Sequence, residues 1–128
     1  MLVHNNNDDQ LCQALFDELE QNGIAHTPEN IVRIGRNADG QVVFLETGDG
    51  AAGLQHILQE HGTDFANRGI DADEIPDLVI DAVTRGDLVE ITPNGAMVID
   101  AEFNGVMQRL QVTVGSNGFI VQANPRSR

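Results

Sequence analysis

The sequence predicts an α+β fold: an N-terminal helix, a β-hairpin, two helices and then a four-stranded antiparallel meander. Three segments carry apolar residues at helical spacing, and all of them precede the last third of the chain. The last third instead has short apolar runs separated by glycine-containing turns. Helices and strands segregated in this way favour α+β over an alternating α/β fold. No repeat or linker interrupts residues 8–125, which we interpret as one domain.

The first helix is predicted from about Asp8 to Gln21, after a disordered lead of residues 1–7. Asn22-Gly23 ends it, because glycine is favoured just after the last helical residue. We interpret Cys12 as a buried small hydrophobe rather than a reactive thiol, because it lies on the apolar face of this helix. That face consists of Leu11, Cys12, Leu15, Phe16 and Leu19.

A β-hairpin is predicted next, with strands at residues 31–36 and 41–46. The residues between them, Asn37-Ala38-Asp39-Gly40, are typical of a hairpin turn. In the second strand both alternating sets of residues are apolar, which indicates a strand buried on both faces.

Two helices are predicted in the middle of the chain. The first of them is expected over residues 51–61 and is ended by Gly62. Its apolar face consists of Leu54, Ile57, Leu58 and His61. The other is expected to begin near a cap at Asp71 or Asp73 and to end at Gly86.

Turn lengths predict how the meander strands pair; these strands are expected at residues 88–92, 96–103, 106–114 and 119–123. A two-residue turn at Asn104-Gly105 places Asp100 opposite Arg109. A four-residue loop at 115–118 places Arg109 opposite Asn124. One face of the sheet is then polar and consists of Asp100, Arg109, Gln111, Thr113, Gln122 and Asn124. The other face is predicted to pack against helices and consists of Met97, Ile99, Phe103, Leu110, Val112, Phe119 and Val121.

The polar face has two interpretations. It is either a solvated surface with one cross-strand ion pair, or a substrate-binding surface in which Arg109 contacts an anion.

The composition is strongly acidic: 20 Asp and Glu oppose seven basic residues, all of them arginine, and the formal net charge is −13. This balance excludes a polybasic membrane anchor and disfavours nucleic-acid binding by charge alone. One cysteine excludes an internal disulfide and a cysteine-based zinc cluster. The acidity has three interpretations, namely adaptation to high salt, binding of a basic partner, or solubility.

The four histidines do not indicate a metal site. His4 and His26 lie in predicted non-helical segments and are interpreted as incidental. His56 and His61 are five residues apart on one helix and so point about 140° apart. A helical metal-binding pair needs a spacing of three or four, so neither a metal nor a cofactor is predicted.

The segment Gly53–Gly62 reads GLQHILQEHG and resembles the Gly-Leu-x-His-Ile-x-x-x-His signature of phage and polymorphic-toxin nucleases of the barnase–EndoU–colicin–RelE-like superfamily. The order of elements over residues 31–125 is similar to that of the family, and Gly118–Pro125 resembles its final strand. The resemblance implies a barnase/EndoU-like fold and a metal-independent endoribonuclease. Cleavage would occur by attack of the ribose 2′-OH on the adjacent phosphate.

On this resemblance, His56 and His61 match the motif histidines and would carry the acid and base roles. Arg109 is added from the strand pairing as the phosphate contact. Four further residues of the polar face are the expected substrate-binding groups: Asp100, Thr113, Gln122 and Asn124. The implied partners are an RNA substrate and a cognate immunity protein or inhibitor. The implied site of action is the cytoplasm, with the enzyme delivered as part of a phage or a secreted toxin.

Two alternatives stay open. The chain is an acidic binding protein, such as an immunity protein or an inhibitor of a basic enzyme, or a catalytically degenerate nuclease fold that serves as a phage module.

Overall fold

The computed structural model describes the backbone of residues 6–127 and the side chains from residue 12 onward. His4, the Leu11 side chain and most of the expected disordered lead lie outside the described residues. The fold is α+β and has the predicted order of elements. Its helices and strands are α1 (Asn6–Gln21), β1 (Ile31–Arg36), β2 (Val42–Glu46), α2 (Leu54–Ala66), α3 (Ile75–Arg85), β3 (Asp87–Ile91), β4 (Met97–Phe103), β5 (Val106–Val114) and β6 (Ile120–Pro125).

The strands form two antiparallel sheets. β1 and β2 pair as a hairpin, and the other four strands form a meander in the order β3-β4-β5-β6. The hairpin adjoins the start of β6, where the Phe44 N–H donates to the Gly118 carbonyl at 2.9 Å. Gly118 has φ of +91° and its Cα faces the β2 backbone with no room for a side chain, so glycine is required there.

Two hydrophobic cores lie on either side of β2. The larger core packs α2 and α3 against one face of the meander, and the smaller core packs α1 against the hairpin. Val43 and Leu45 enter the larger core, whereas Val42 and Phe44 enter the smaller one. The prediction that this strand is buried on both faces is therefore confirmed. Cys12 is buried in the smaller core, as predicted.

The helix α2 differs from the prediction at both ends. It begins at Leu54 because the preceding residues form a turn, in which the Asp49 N–H donates to the Ala52 carbonyl at 2.9 Å. It also continues through Gly62 to Ala66. The reason is tertiary: Phe65 extends the apolar stripe of the helix and is completely buried, so it stabilises the additional turn.

The predicted end of α3 is confirmed, but the α-helix begins at Ile75, a few residues after the predicted cap. Asp71 caps a short 3₁₀ turn that leads into the helix, and its N–H donates to the Glu74 side chain at 2.9 Å. Gly86 follows the last helical residue. It also lies too close to Ile99 of β4 for a side chain, so the turn into β3 is tight.

The pairing of the meander is correct for β4–β5 and wrong for β5–β6. Asp100 lies opposite Arg109 as predicted, but Gln111 is the residue opposite Asn124. The predicted register is wrong by two residues for two reasons. The first is that the β5–β6 loop is shorter than predicted, because the Gly115 N–H donates to the Phe119 carbonyl at 2.8 Å. The second is a further register shift between Thr113 and Val114.

Because side chains alternate along a strand, a shift of two residues leaves those near the end of β6 on the predicted face. Gln122 and Asn124 still share a face with Thr113 and Gln111, which lie opposite them. On the helix side, the prediction for the start of β6 is wrong. Ile120 and Ala123 are buried there, and the predicted Phe119 and Val121 are only partly buried.

Candidate functional site

The polar face of the meander lies on the side opposite α2 and α3. Leu110 and Val112 point into the larger core, so the residues that alternate with them on β5 point away from it. Besides the six predicted members, this face includes Arg126, whose N–H donates to the Arg109 carbonyl at 2.8 Å. We define the polar face as Asp100, Arg109, Gln111, Thr113, Gln122, Asn124 and Arg126.

Arg109 is held by a carboxylate. Its Nε lies 2.7 Å from Asp100 Oδ1, and its Nη2 lies 3.0 Å from Asp100 Oδ2, which is a bidentate pair. The hydrogen bonds to Asp100 raise the pKa of Arg109, and the charge of Glu90 adds to this effect. A carboxylate therefore balances the charge of Arg109 and accepts hydrogen bonds from its Nε and Nη2.

Arg126 is the functional candidate that sequence reasoning missed. Its Nη1 donates to Gln111 Oε1 at 3.1 Å, and its carbonyl accepts a hydrogen bond from Arg68 Nη1 at 2.9 Å. The alternation of side chains along a strand could have identified it, because Arg126 is two residues beyond Asn124 and so falls on the same face. We call Arg68, Arg126 and Gln111 the arginine corner.

The arginine corner differs from the rest of the surface in its charge balance. Six of the seven arginines lie within residues 6–127. Four of these form ion pairs with carboxylates, as Arg33–Asp77, Arg36–Glu18, Arg85–Asp81 and Arg109–Asp100. The partners of Arg68 and Arg126 are instead a carbonyl and an amide oxygen. Arg68 and Arg126 are therefore the two arginines of the described chain whose charge is not balanced by a carboxylate, and both lie at this corner.

The motif histidines lie on the other side of the sheet from the polar face. They belong to α2, whose Ile57 and Phe65 pack into the larger core. His56 Nδ1 lies 2.8 Å from the Gly50 carbonyl, and His61 Nδ1 lies 3.1 Å from Asp64 Oδ2. The structure therefore does not bring either histidine together with Arg109, although it does bring Arg109 together with Asp100.

Both histidines have a hydrogen-bond partner at Nδ1. A carbonyl oxygen only accepts, so the neutral His56 ring carries its proton on Nδ1, and Nε2 is its basic nitrogen. Asp64 orients His61 in the same way. The His61 side chain is about a quarter exposed, at 25%, so the expectation that it lies amid the apolar face is only partly met. The extension of α2 also means that His61 is not at the helix end.

The two histidines differ in their distance from the arginine corner along α2. At the start of the helix the Gly53 N–H donates to the Val121 carbonyl at 2.8 Å, and beyond its end Arg68 reaches Arg126. The helix therefore runs in the same direction as β6. His61 lies in the half nearer the arginine corner and His56 in the half nearer Val121.

The remaining histidine of the described chain is His26. His26 Nδ1 lies 2.8 Å from the Ile24 carbonyl, and its ring meets Phe44 edge to face. Between residues 12 and 127, no three His, Cys, Asp or Glu side chains are grouped so that they could hold a metal ion. None of the helices in the same part of the chain has the length and apolar character needed to span a bilayer.

No protein-family model and no curated protein matches the chain. The resemblance to the nuclease superfamily therefore stays a prediction based on Gly53–Gly62 and on the order of the elements.

Proposed function

We propose that this domain is a metal-independent endoribonuclease that holds the RNA backbone at the arginine corner. The observation that carries the proposal is the charge balance at Arg68 and Arg126, which bond to neutral oxygens in a chain of net charge −13. A phosphate needs a local cation when the overall field repels it. The neighbouring amides of Gln111 and Asn124 supply further hydrogen-bonding groups beside these cations.

The proposed chemistry is transesterification within RNA. A base removes the proton from the ribose 2′-OH, whose oxygen then attacks the adjacent phosphorus as the bond to the 5′-oxygen breaks. An acid returns a proton to that leaving oxygen, so the products are a 2′,3′-cyclic phosphate and a 5′-hydroxyl. This step needs no metal, because arginine donors can stabilise the charge that develops on the phosphate.

For the arginine corner and a histidine to act on the same RNA, the RNA crosses the β6 edge, from the polar face to the side on which α2 lies. His61 is the nearer of the two histidines, because it lies in the half of α2 closer to the arginine corner. Its Nε2 is the acid or base nitrogen, and Asp64 orients the ring. His56 points about 140° away around the helix, so it reaches a different part of the RNA. The resemblance nevertheless implies a role for both residues, and single variants separate their contributions.

The test is cleavage of single-stranded RNA in EDTA over a range of salt concentrations. His61→Ala should reduce cleavage more than His56→Ala, and the double variant should abolish it. Arg126→Gln should weaken RNA binding, whereas the matched variant Arg85→Gln should not, because Arg85 is 82% exposed and already pairs with Asp81. Loss of one phosphate contact should also lower the steepness of the log–log salt dependence by about 0.7.

Two results would overturn this proposal. One is the absence of cleavage at every salt concentration. The other is cleavage that persists unchanged when His56 and His61 are both alanine, which would indicate a contaminating nuclease. RNA binding without cleavage would instead support the degenerate nuclease fold.

A second candidate function is an acidic binding protein that captures a basic enzyme, as an immunity protein or inhibitor does. It is favoured by the net charge of −13 and by four of the described arginines being neutralised by acids. Calorimetric titration with a panel of basic nucleases tests it. Binding that is lost at high salt supports this function, and absence of binding to every member contradicts it.

A further inference from the structure

The meander has two edges, and they differ in how they are covered. The β6 edge is covered, because α2 lies along it and the Gly53 N–H donates to the Val121 carbonyl. The β3 edge is open, since within residues 6–127 β3 pairs only with β4. All five residues of β3 are exposed. An open strand edge presents unpaired N–H and C=O groups on which another strand can add.

The two faces of β3 have different chemistry. Leu88 and Ile91 lie opposite Ile99 and Met97, so they point to the helix side of the sheet. They are nevertheless 55% and 61% exposed, because no helix between residues 6 and 127 extends over them. Asp87 and Glu90 lie opposite Asp100 and Val98 and point to the side of the polar face.

The apolar side of this edge continues into a groove of about 400 Å³. The groove lies between β3, the end of α3 and the turn of the β1–β2 hairpin. Its lining is mixed: Leu88, Met97 and Ile99 are apolar, whereas Asn37 and Asp39 of the hairpin turn are polar. Large apolar side chains that are exposed beside such a groove are typical of an interaction surface.

We propose that β3 is the docking edge for a basic, extended segment of another protein, which adds a fifth strand to the meander. Apolar side chains of that segment would lie beside Leu88 and Ile91, and its arginines or lysines would lie beside Asp87 and Glu90. The segment is therefore amphipathic, with basic and apolar residues in alternation.

Charge decides between a basic partner and a second copy of this chain. Two copies would each bring a net charge of −13 and the same acidic pair, so their approach is opposed. A basic segment is attracted by the same field, and its cations meet carboxylates on the edge itself. This inference rests on the second candidate function, for which it names the surface, and it does not depend on RNA cleavage.

The test uses the whole protein and a short synthetic peptide of alternating arginine and valine. Amide chemical shifts and hydrogen exchange should locate binding at residues 87–91, and added salt should weaken it. A peptide in which proline replaces the valines keeps the charge but cannot pair as a strand, and should bind at least about tenfold more weakly.

A matched pair of double variants distinguishes peptide binding at the β3 edge from attraction by the overall charge of the protein. Leu88→Lys with Ile91→Lys should lower the affinity for the peptide at least about tenfold. Val106→Lys with Met107→Lys adds the same charge at side chains that are 56% and 39% exposed but lie on β5, and should leave binding almost unchanged. Circular dichroism checks that both variants fold.

Three outcomes would overturn the inference. One is equal binding of the proline peptide, which would indicate attraction by charge alone. A second is peptide binding that perturbs other residues while β3 is unaffected, a result that refutes this surface but leaves the second candidate function standing. The third is a β3-dependent dimer in sedimentation, which would make a second copy the occupant.

Discussion

Replacing Gly62 with alanine decides where α2 ends. The structure places Gly62 in the interior of the helix, without a positive φ, and a Cβ added there has no heavy atom within 4 Å. Alanine should therefore fit without strain. It should stabilise the protein by roughly 0.5–1 kcal/mol, because glycine loses more backbone entropy on becoming helical. For a domain of 128 residues this corresponds to a rise in Tm of roughly 2–5 °C.

The assay is thermal and urea unfolding followed by circular dichroism at one fixed salt concentration, since the acidity makes stability depend on screening. Gly69→Ala is the matched control. Gly69 also has open space around its Cα, but its φ is +80°, a conformation that costs an alanine about 1–2 kcal/mol. The two substitutions are chemically identical, so opposite signs report backbone conformation alone.

A destabilising Gly62→Ala would refute the reasoning. It would show that Gly62 has the left-handed conformation of a helix terminus, as the sequence pattern predicts. Phe65 would then not belong to α2, and His61 would be the last helical residue with no Asp64 one turn beyond to orient it.

Three further predictions concern the core residue Phe65, the close packing of Gly118 against β2, and the ion pair between Arg109 and Asp100. Phe65→Ala should lower the free energy of unfolding by about 3–5 kcal/mol in urea titration, because Phe65 is completely buried; a loss below about 1 kcal/mol would contradict its place in the core. Gly118→Ala should lower the free energy of unfolding by roughly 2–4 kcal/mol in the same measurement, because Gly118 has φ of +91° and the added methyl group would collide with the Val42 carbonyl. A neutral effect would show that the two backbones do not approach so closely. The raised pKa of Arg109 means that the stability from its pair with Asp100 is fully present below the ordinary arginine pKa and is lost only as the pH rises through the raised value. Arg109→Gln should therefore lower the Tm by the same amount at neutral and moderately alkaline pH, and a difference that changes between these conditions would show that another group titrates.

Local patterns were enough to predict most elements and one of the two long strand pairings. The Asn104-Gly105 turn specifies the β4–β5 register by itself, because a two-residue loop leaves one way to pair the flanking strands. The β5–β6 register was not accessible in this way. It depends on a bulge, and the residues on the two strands do not by themselves reveal where one strand has an extra residue.

The candidate site was likewise predictable from the sequence only in part. Asp100, Arg109 and the three amides could be placed on one face from parity alone, since a register error of two residues preserves the face. The corner between Arg68 and Arg126 could not be found from the sequence. These residues are 58 positions apart, and they meet because α2 lies along β6.

The sequence by itself determined the fold class, the alternating faces of the meander and the residue types of the motif, because each depends on neighbours a few positions apart. Only the tertiary structure decided which arginines keep a charge that no carboxylate balances, and on which side of the sheet the histidines lie. Ion pairing and helix packing join residues that are distant in the chain, so their outcome depends on how the layers assemble. That assembly separated His56 and His61 from Arg109 and brought Arg68 to Arg126.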